Sequence, residues 1–387
     1  MSDQETPSVW WQLPVRLTGW LLAANVAIFA WLTWKYGLGA TENNFVLFAY
    51  GAKYNPAIDR GEWWRLVASN FLHSGWLHLT VNMYALVQMG LVCELLFGPG
   101  WFLGIYVLSG LGAQYLGYRG HDMLSVGASG PICGLGGALI SLGFLGRDRL
   151  PGDLSARLRR GAVPFVVLNA MIGMGPWGID NHAHGGGFVT GLVVGAMAVG
   201  LARAGRLYAV GGVAMGCVAV AVLAYGGVEA WRRVPEARVA IEITALFKPL
   251  RLVTEAGKSM TAELARLYPT ERRVGPFDRA RGMAARKALL EWIDARIAFR
   301  AAILGWPEAQ DAAVRTALAD WRARDPDLGP MRTRFARYAD RSVEEDLERD
   351  QAQHFEEWKA LMNPPWDKGM LALNERFLQV YPLPPKR

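Results

Sequence analysis

The sequence predicts an all-α membrane protein with a soluble helical domain behind it, and three observations carry that prediction. Apolar runs of membrane-spanning length recur up to about Trp231. The mean hydropathy of +0.14 averages two unlike regions. From Arg232 to Arg387 the chain turns dense in Arg, Asp and Glu. Taken in order, residues 1–16 form a short tail. It carries Asp3 and Glu5 with a single basic residue and lacks the layout of a cleaved signal, so the first span is expected to be retained. Spans are expected at Leu17–Tyr36, Leu77–Phe97, Trp101–Tyr118, Ser129–Leu145, Ala162–Met174, Ala183–Ala202 and Leu207–Val228. The fifth is short. The domains that follow are a six-span core at 17–202, an extra transmembrane helix at 203–231 and a soluble α-helical domain at 232–387.

Gly134, Gly136, Gly137 and Ala138 in the fourth span, and Gly185 to Gly187, Gly191 and Gly195 in the sixth, let helices approach closely where packing rather than water exclusion drives association. Arg147, Arg149, Arg157, Arg159 and Arg160 follow the fourth span, and Arg203 and Arg206 follow the sixth, which makes both segments cytoplasmic by the positive-inside tendency. The count then puts the N-terminus inside, the loop Gly37–Trp76 outside and, through the seventh span, the C-terminal domain outside. A net charge of +7 raises nucleic acid as a partner, but the arginines flank spans or alternate with acids on helices, and nucleic acid is rejected in favour of a lipid bilayer. Cys93, Cys133 and Cys217 lie in apolar stretches without C-x-x-C or zinc spacing, so neither a disulfide nor a metal is expected.

Polar residues inside lipid are costly and therefore candidates for function. Four stand out: His78, Asn82, Ser129 and His184. Gly127-Ala128-Ser129-Gly130 opens the fourth span and sets the Ser129 hydroxyl in a first helical turn, beside unpaired backbone N–H groups able to stabilise an oxyanion. A serine that only caps the helix uses the same geometry. A serine hydroxyl needs a neighbouring base, and His184 opens the sixth span at a similar depth. A histidine satisfied by a backbone carbonyl is the other reading of that position. His78 and Asn82 sit four apart on one face of the second span, where they donate toward a developing oxyanion or simply join helices. His73 reads as loop structure and His182 as an entry residue. No H-E-x-x-H and no aspartate well inside a span is present, which leaves a serine–histidine dyad.

These residues resemble the rhomboid protease family over roughly Leu17 to Ala202. Glu62-Trp63-Trp64-Arg65-Leu66 with Asn70-Phe71-Leu72-His73 is similar to the family's first external loop. His78-x-x-x-Asn82, Glu94-Leu95-Leu96-Phe97-Gly98, Gly127-Ala128-Ser129-Gly130 with Gly134, and Ala183-His184-Gly185-Gly186-Gly187 with Gly191 follow in the family's order. The resemblance implies a six-helix transmembrane bundle whose cavity opens to the outside. It implies Ser129 as nucleophile and His184 as base, an oxyanion site from His78, Asn82 and the Ser129 N–H, no third carboxylate and no cofactor. Membrane-anchored proteins are the implied substrates, cut near the membrane boundary. Two departures stand out: Cys133 where many members carry an aromatic ring packing on the histidine, and the seventh span with its C-terminal domain.

That domain is expected to hold helices at Met260–Tyr268, Pro276–Leu304, Pro307–Arg324, Met331–Leu361 and Met370–Val380, with Trp292, Trp306, Trp321, Trp358 and Trp366 as core candidates. It shows no catalytic constellation. The alternative to a protease is a rhomboid-like pseudoenzyme that binds membrane proteins, which is expected to lack the serine or the histidine. A bacterial cytoplasmic membrane is the expected location.

Overall fold

The computed structural model describes residues 17–120, 123–148, 150, 152–161, 164, 180–267, 279–304, 312–324 and 327–336, with 373, 375–377 and 379. Among these residues the only ordered secondary structure besides helix is one antiparallel bridge between Lys53 and Ser125. The expected tail at 1–16 and all but one residue of the expected fifth span from 162 to 174 lie outside the described residues.

Helix α1 (Leu17–Tyr36) begins with amide groups that have no partner in their own helix, and a second helix supplies one. Glu94 accepts from Leu17 N at 3.0 Å, Thr18 N at 3.1 Å and Thr18 Oγ1 at 2.7 Å. The helix buries Leu21, Asn25, Phe29 and Leu32, a stripe at spacings of three and four. Trp20 and Trp34, at its two ends, are 64% and 82% exposed, the placement expected of rings at the two faces of a bilayer.

The stretch from Gly37 to Ser74 is folded. Short helices α2 (Asn44–Ala49), α3 (Asn55–Ile58) and α4 (Arg65–Ala68) run through it. Asn43 caps α2 by accepting from Phe45 N at 2.9 Å. Arg65 is fully buried, held by Glu62 at 2.7 Å and by the carbonyls of Phe48 and Ala52, with its guanidinium 4.1 Å from the Phe48 ring centroid. An unpaired guanidinium in that place would be prohibitive, so these partners fix the loop.

Four longer helices follow: α5 (Gly75–Phe97), α6 (Pro99–Gly120), α7 (Ser129–Leu145) and α8 (Asn181–Leu201). The α7–α8 contact is made by backbone. A Cβ at Gly187 would strike the carbonyl oxygen of Gly130, and one at Gly191 would strike that of Gly134. A Cβ at Gly195 would lie 2.6 Å from Ala138 Cα. Spaced four apart, these three glycines form one face of α8 on which no larger residue fits. Helix α9 (Arg206–Leu267) starts by docking on α6. Trp101 stacks on Tyr208 at 5.7 Å and donates to its carbonyl at 3.1 Å, and the Tyr208 hydroxyl donates to Phe97 O at 2.6 Å.

Four described helices are long and apolar enough to cross a membrane: Leu17–Tyr36, Gly75–Phe97, Asn181–Ala204 and a stretch within Arg206–Glu263. Ser129–Leu145 is a shorter apolar helix. Helix α6 spans 22 residues and is buried along much of its length, with Trp101, Phe102, Ile105, Tyr106 and Ala113 in the core.

The chain divides into two compact units between Ala237 and Arg238, a point inside α9. The second unit contains the end of α9, then α10 (Arg279–Leu304), α11 (Ala312–Arg324) and α12 (Gly329–Ala336). Leu289, Ile293, Phe299, Val314, Leu318, Trp321 and Met331 are buried there, with Phe299 and Trp321 rings 5.8 Å apart. Val314, Ala317, Leu318 and Trp321 supply a spacing of three and four to α11. The expected helix from Met331 is described only to Ala336. The remainder of it, most of the last expected helix, and Trp306, Trp358 and Trp366 lie outside the described residues.

Candidate active site

The strand-like segment before α7 is held on two sides. Lys53 and Ser125 exchange backbone hydrogen bonds at 2.9 and 3.0 Å, and Gly127 N donates to Ser69 O at 2.9 Å. Gly127 has φ +127°, which a side chain would strain, and a Cβ there would come within 2.8 Å of the His78 ring. The N-cap of α7 is Ala128, so Ser129 is its first helical residue and its hydroxyl is not spent on capping.

On α8, Asp180 takes the N-cap and accepts from Ala183 N at 2.9 Å. One turn further in, His184 Nε2 lies 2.9 Å from Ser129 Oγ. Its Nδ1 is buried without a hydrogen-bond partner among the described residues. The glycine face of α8 thus brings the two chosen side chains into contact across the α7–α8 seam, and in the neutral tautomer that carries its hydrogen on Nδ1, Nε2 accepts from the Ser129 hydroxyl.

His78 lies in the first turns of α5, with its Nδ1 accepting from Ser74 N at 3.3 Å. In the neutral ring that tautomer leaves Nε2 as the donor, on the side facing Gly127. Asn82 is buried and commits one amide hydrogen to His78 O at 2.8 Å, leaving the other for a second acceptor. His73 is buried in the loop, its ring edge-on to His78 at 5.3 Å. Burial, and secondarily the neighbouring His78, pushes its pKa down to about 3, so it stays neutral at ordinary pH. His182 stands against Gly120 on α6, away from the pair. Cys133, one turn beyond Ser129, is buried. Among the described residues no group of three or more His, Cys, Asp or Glu is arranged to hold a metal ion.

Two residues of this region escaped the sequence reading. Asp180 three positions before Ala183 is an N-cap signature, legible in retrospect. Lys53 is the single charge in the largely apolar run from Phe45 to Ile58, and its partners are far away in sequence.

A model of the rhomboid domain family matches residues 60–201. The chain is 35% identical over 167 residues to the rhomboid protease GluP of Bacillus subtilis, covering 43% of this chain and 32% of that protein. It is 31% identical over 202 residues to the rhomboid protease AarA of Providencia stuartii, covering 46% of this chain and 71% of that protein. With RHOMBOID-like protein 5 of Arabidopsis thaliana the identity is 35% over 148 residues, 38% of this chain and 47% of that protein. The chain therefore spans about a third to a half of two of these relatives and most of the third. It belongs to the rhomboid family, a class of integral, multi-pass membrane proteins that includes serine intramembrane proteases.

Proposed function

We propose that this chain is an intramembrane serine endopeptidase that cleaves membrane-anchored proteins at or near the membrane boundary. The observation that carries the reading is the 2.9 Å approach of His184 Nε2 to Ser129 Oγ. Ser129 Oγ attacks the scissile carbonyl while His184 Nε2 takes its proton, and the negative charge collects on the carbonyl oxygen. The backbone N–H of Ser129, the Nε2–H of His78 and the free amide hydrogen of Asn82 are the donors for that oxyanion. The protonated His184 then gives its proton to the leaving amine, and an acyl-Ser129 ester remains. Water, deprotonated by His184, attacks the ester and releases the second product. Nε2 of His184 meets Ser129, and no carboxylate is hydrogen-bonded to Nδ1 among the described residues, so the pair works as a dyad and not a triad.

In this reading six spans and a seventh cross the bilayer, with the N-terminus cytoplasmic and the dyad open to the external face of a bacterial inner membrane. Residues 17–202 form the catalytic core, 203–231 the extra span, and 232–387 a soluble helical domain. Support for the orientation comes from the arginines between the fourth and fifth expected spans and from the Ser129 and His184 helices both starting on the opposite side.

The test is cleavage of a single-span substrate with small residues at its external boundary, by wild type and Ser129→Ala purified in bilayers. Only wild type is expected to cut, and cleavage by both removes Ser129 from the role of nucleophile. His184→Ala is expected to abolish turnover. Asn82→Ala should lower kcat by about 10²–10³-fold if it donates to the oxyanion.

A further inference from the structure

Lys53 lies outside every motif discussed so far, yet its side chain is 0% exposed. Its backbone is the partner of Ser125, four residues before Ser129. Its ammonium donates to Gly117 O at 2.9 Å, near the C-terminus of α6, and to Met123 O at 3.3 Å. The same nitrogen stands 3.8 Å from Asp180 Oδ2, and that side chain is 8% exposed. Asp180 is the N-cap of α8, four residues before His184, and its backbone carbonyl accepts from His184 N at 3.0 Å. A cation at a C-terminal carbonyl of α6 and an anion at an N-terminal amide of α8 each complement a helix end, and each neutralises the other. Gly117 completes the fit, because a Cβ there would come within 2.6 Å of Asp180 Oδ2.

One residue therefore touches the approach to both halves of the dyad: its main chain fixes the segment leading into Ser129, and its side chain fixes the cap leading into His184. We propose that Lys53, through its ion pair with Asp180, is the positioning residue that sets the Ser129–His184 register. This rests on the dyad reading above. Displacement of a reacting group by about 1 Å costs on the order of 100-fold in rate, so a clamp on both arms acts on turnover and leaves substrate binding alone.

The experiment compares wild type, Ser129→Ala, Lys53→Met, Asp180→Asn and the Lys53→Met/Asp180→Asn double variant. Asp180→Asn keeps the capping oxygen and removes the charge. Each protein is assayed for thermal unfolding, for kcat and KM on the single-span substrate, and for the rate at which a fluorophosphonate labels Ser129 in the folded fraction. Lys53→Met is expected to lower kcat and the labelling rate together, by about 10- to 100-fold, with KM within about twofold of wild type. The double variant, which buries no unpaired charge, is expected to recover part of that loss. Should Lys53→Met fail to fold, Asp180→Asn and the double variant carry the same comparison. Folded single variants that label at the wild-type rate, or strictly additive losses in the double variant, overturn the positioning role. If wild type labels no faster than Ser129→Ala, the dyad reading fails and takes the positioning role with it, a pattern distinct from unaffected variants beside a reactive wild type.

Discussion

The two units of this chain differ in how much charge they bury. In the unit ending at Ala237, Lys53, Arg65 and Glu94 are buried, and each is tied to a partner on another segment: Asp180, the carbonyls of Phe48 and Ala52, and Thr18. In the unit from Arg238, pairs such as Arg251–Glu255 and Lys287–Glu291 lie one turn apart on a helix surface and stay largely in water. Exceptions run both ways: Arg157–Asp153 is an exposed one-turn pair of the first unit, and Arg296 is buried in the second. Apolar residues show the inverse pattern: Trp34, Leu77, Val81 and Val193 are exposed on the first unit, where lipid takes the place of water, while Leu289, Ile293 and Leu318 are enclosed in the second. A buried charge specifies which segments meet; an exposed one mainly keeps a helix soluble.

The difference sets an order of expected effects. The largest belongs to the backbone contact that buries the dyad seam. Gly191→Val is expected to abolish cleavage and lower the unfolding temperature sharply, because its first new carbon falls on the Gly134 carbonyl oxygen. Gly200→Val, on the same helix with open space around it, should leave both near wild type. Cleavage and thermal melting in detergent read the pair, and equal effects at the two sites would break the argument.

Next comes Glu94→Ala, which strands the half-buried amide of Leu17 and the buried amide of Thr18 and should lower the unfolding free energy by about 2–3 kcal/mol. Glu94→Gln keeps one acceptor and should lose less. Denaturant titration in mixed micelles distinguishes them.

A pH effect follows from His73. Its folded pKa of about 3 lies below the ordinary value of 6.5, so the unfolded chain binds the proton first. The stability that comes from keeping it neutral is complete above pH 6.5 and is lost progressively as pH falls from there toward 3. His73→Gln should flatten the dependence of the melting temperature on pH over that window. An unchanged slope would show that other groups set it.

The smallest effect is expected in the second unit. Lys287→Ala removes half of an exposed i,i+4 pair and should move the melting midpoint by no more than about 1 °C.

How much of this was legible beforehand follows the same division between local and distant. The expected fourth span has the bounds of helix α7, Ser129–Leu145, since glycine and serine open it and the apolar run ends at Gly146. The second and third spans fell within two residues of α5 and α6. For the seventh, the apolar run stops at Val228, but the helix continues to Leu267 through Pro235 and Pro249. Hydropathy registers where the apolar run ends, whereas backbone hydrogen bonding carries on into charged sequence. His184 and Ser129 were nominated separately, and their meeting depends on Gly187 and Gly191, whose spacing is visible in the sequence. Lys53 was invisible, because its significance comes from Gly117, Ser125 and Asp180, brought together only by the fold.

The cap that Glu94 places on α1 also bears on how the molecule comes into being. Leu17 and Glu94 are 77 residues apart, so the first helix leaves the ribosome well before the carboxylate that receives its opening amides. Until α5 has been delivered beside it, α1 has no fixed neighbour for that end and its tilt is unset. Helix α1 is therefore among the elements whose placement waits on sequence made later.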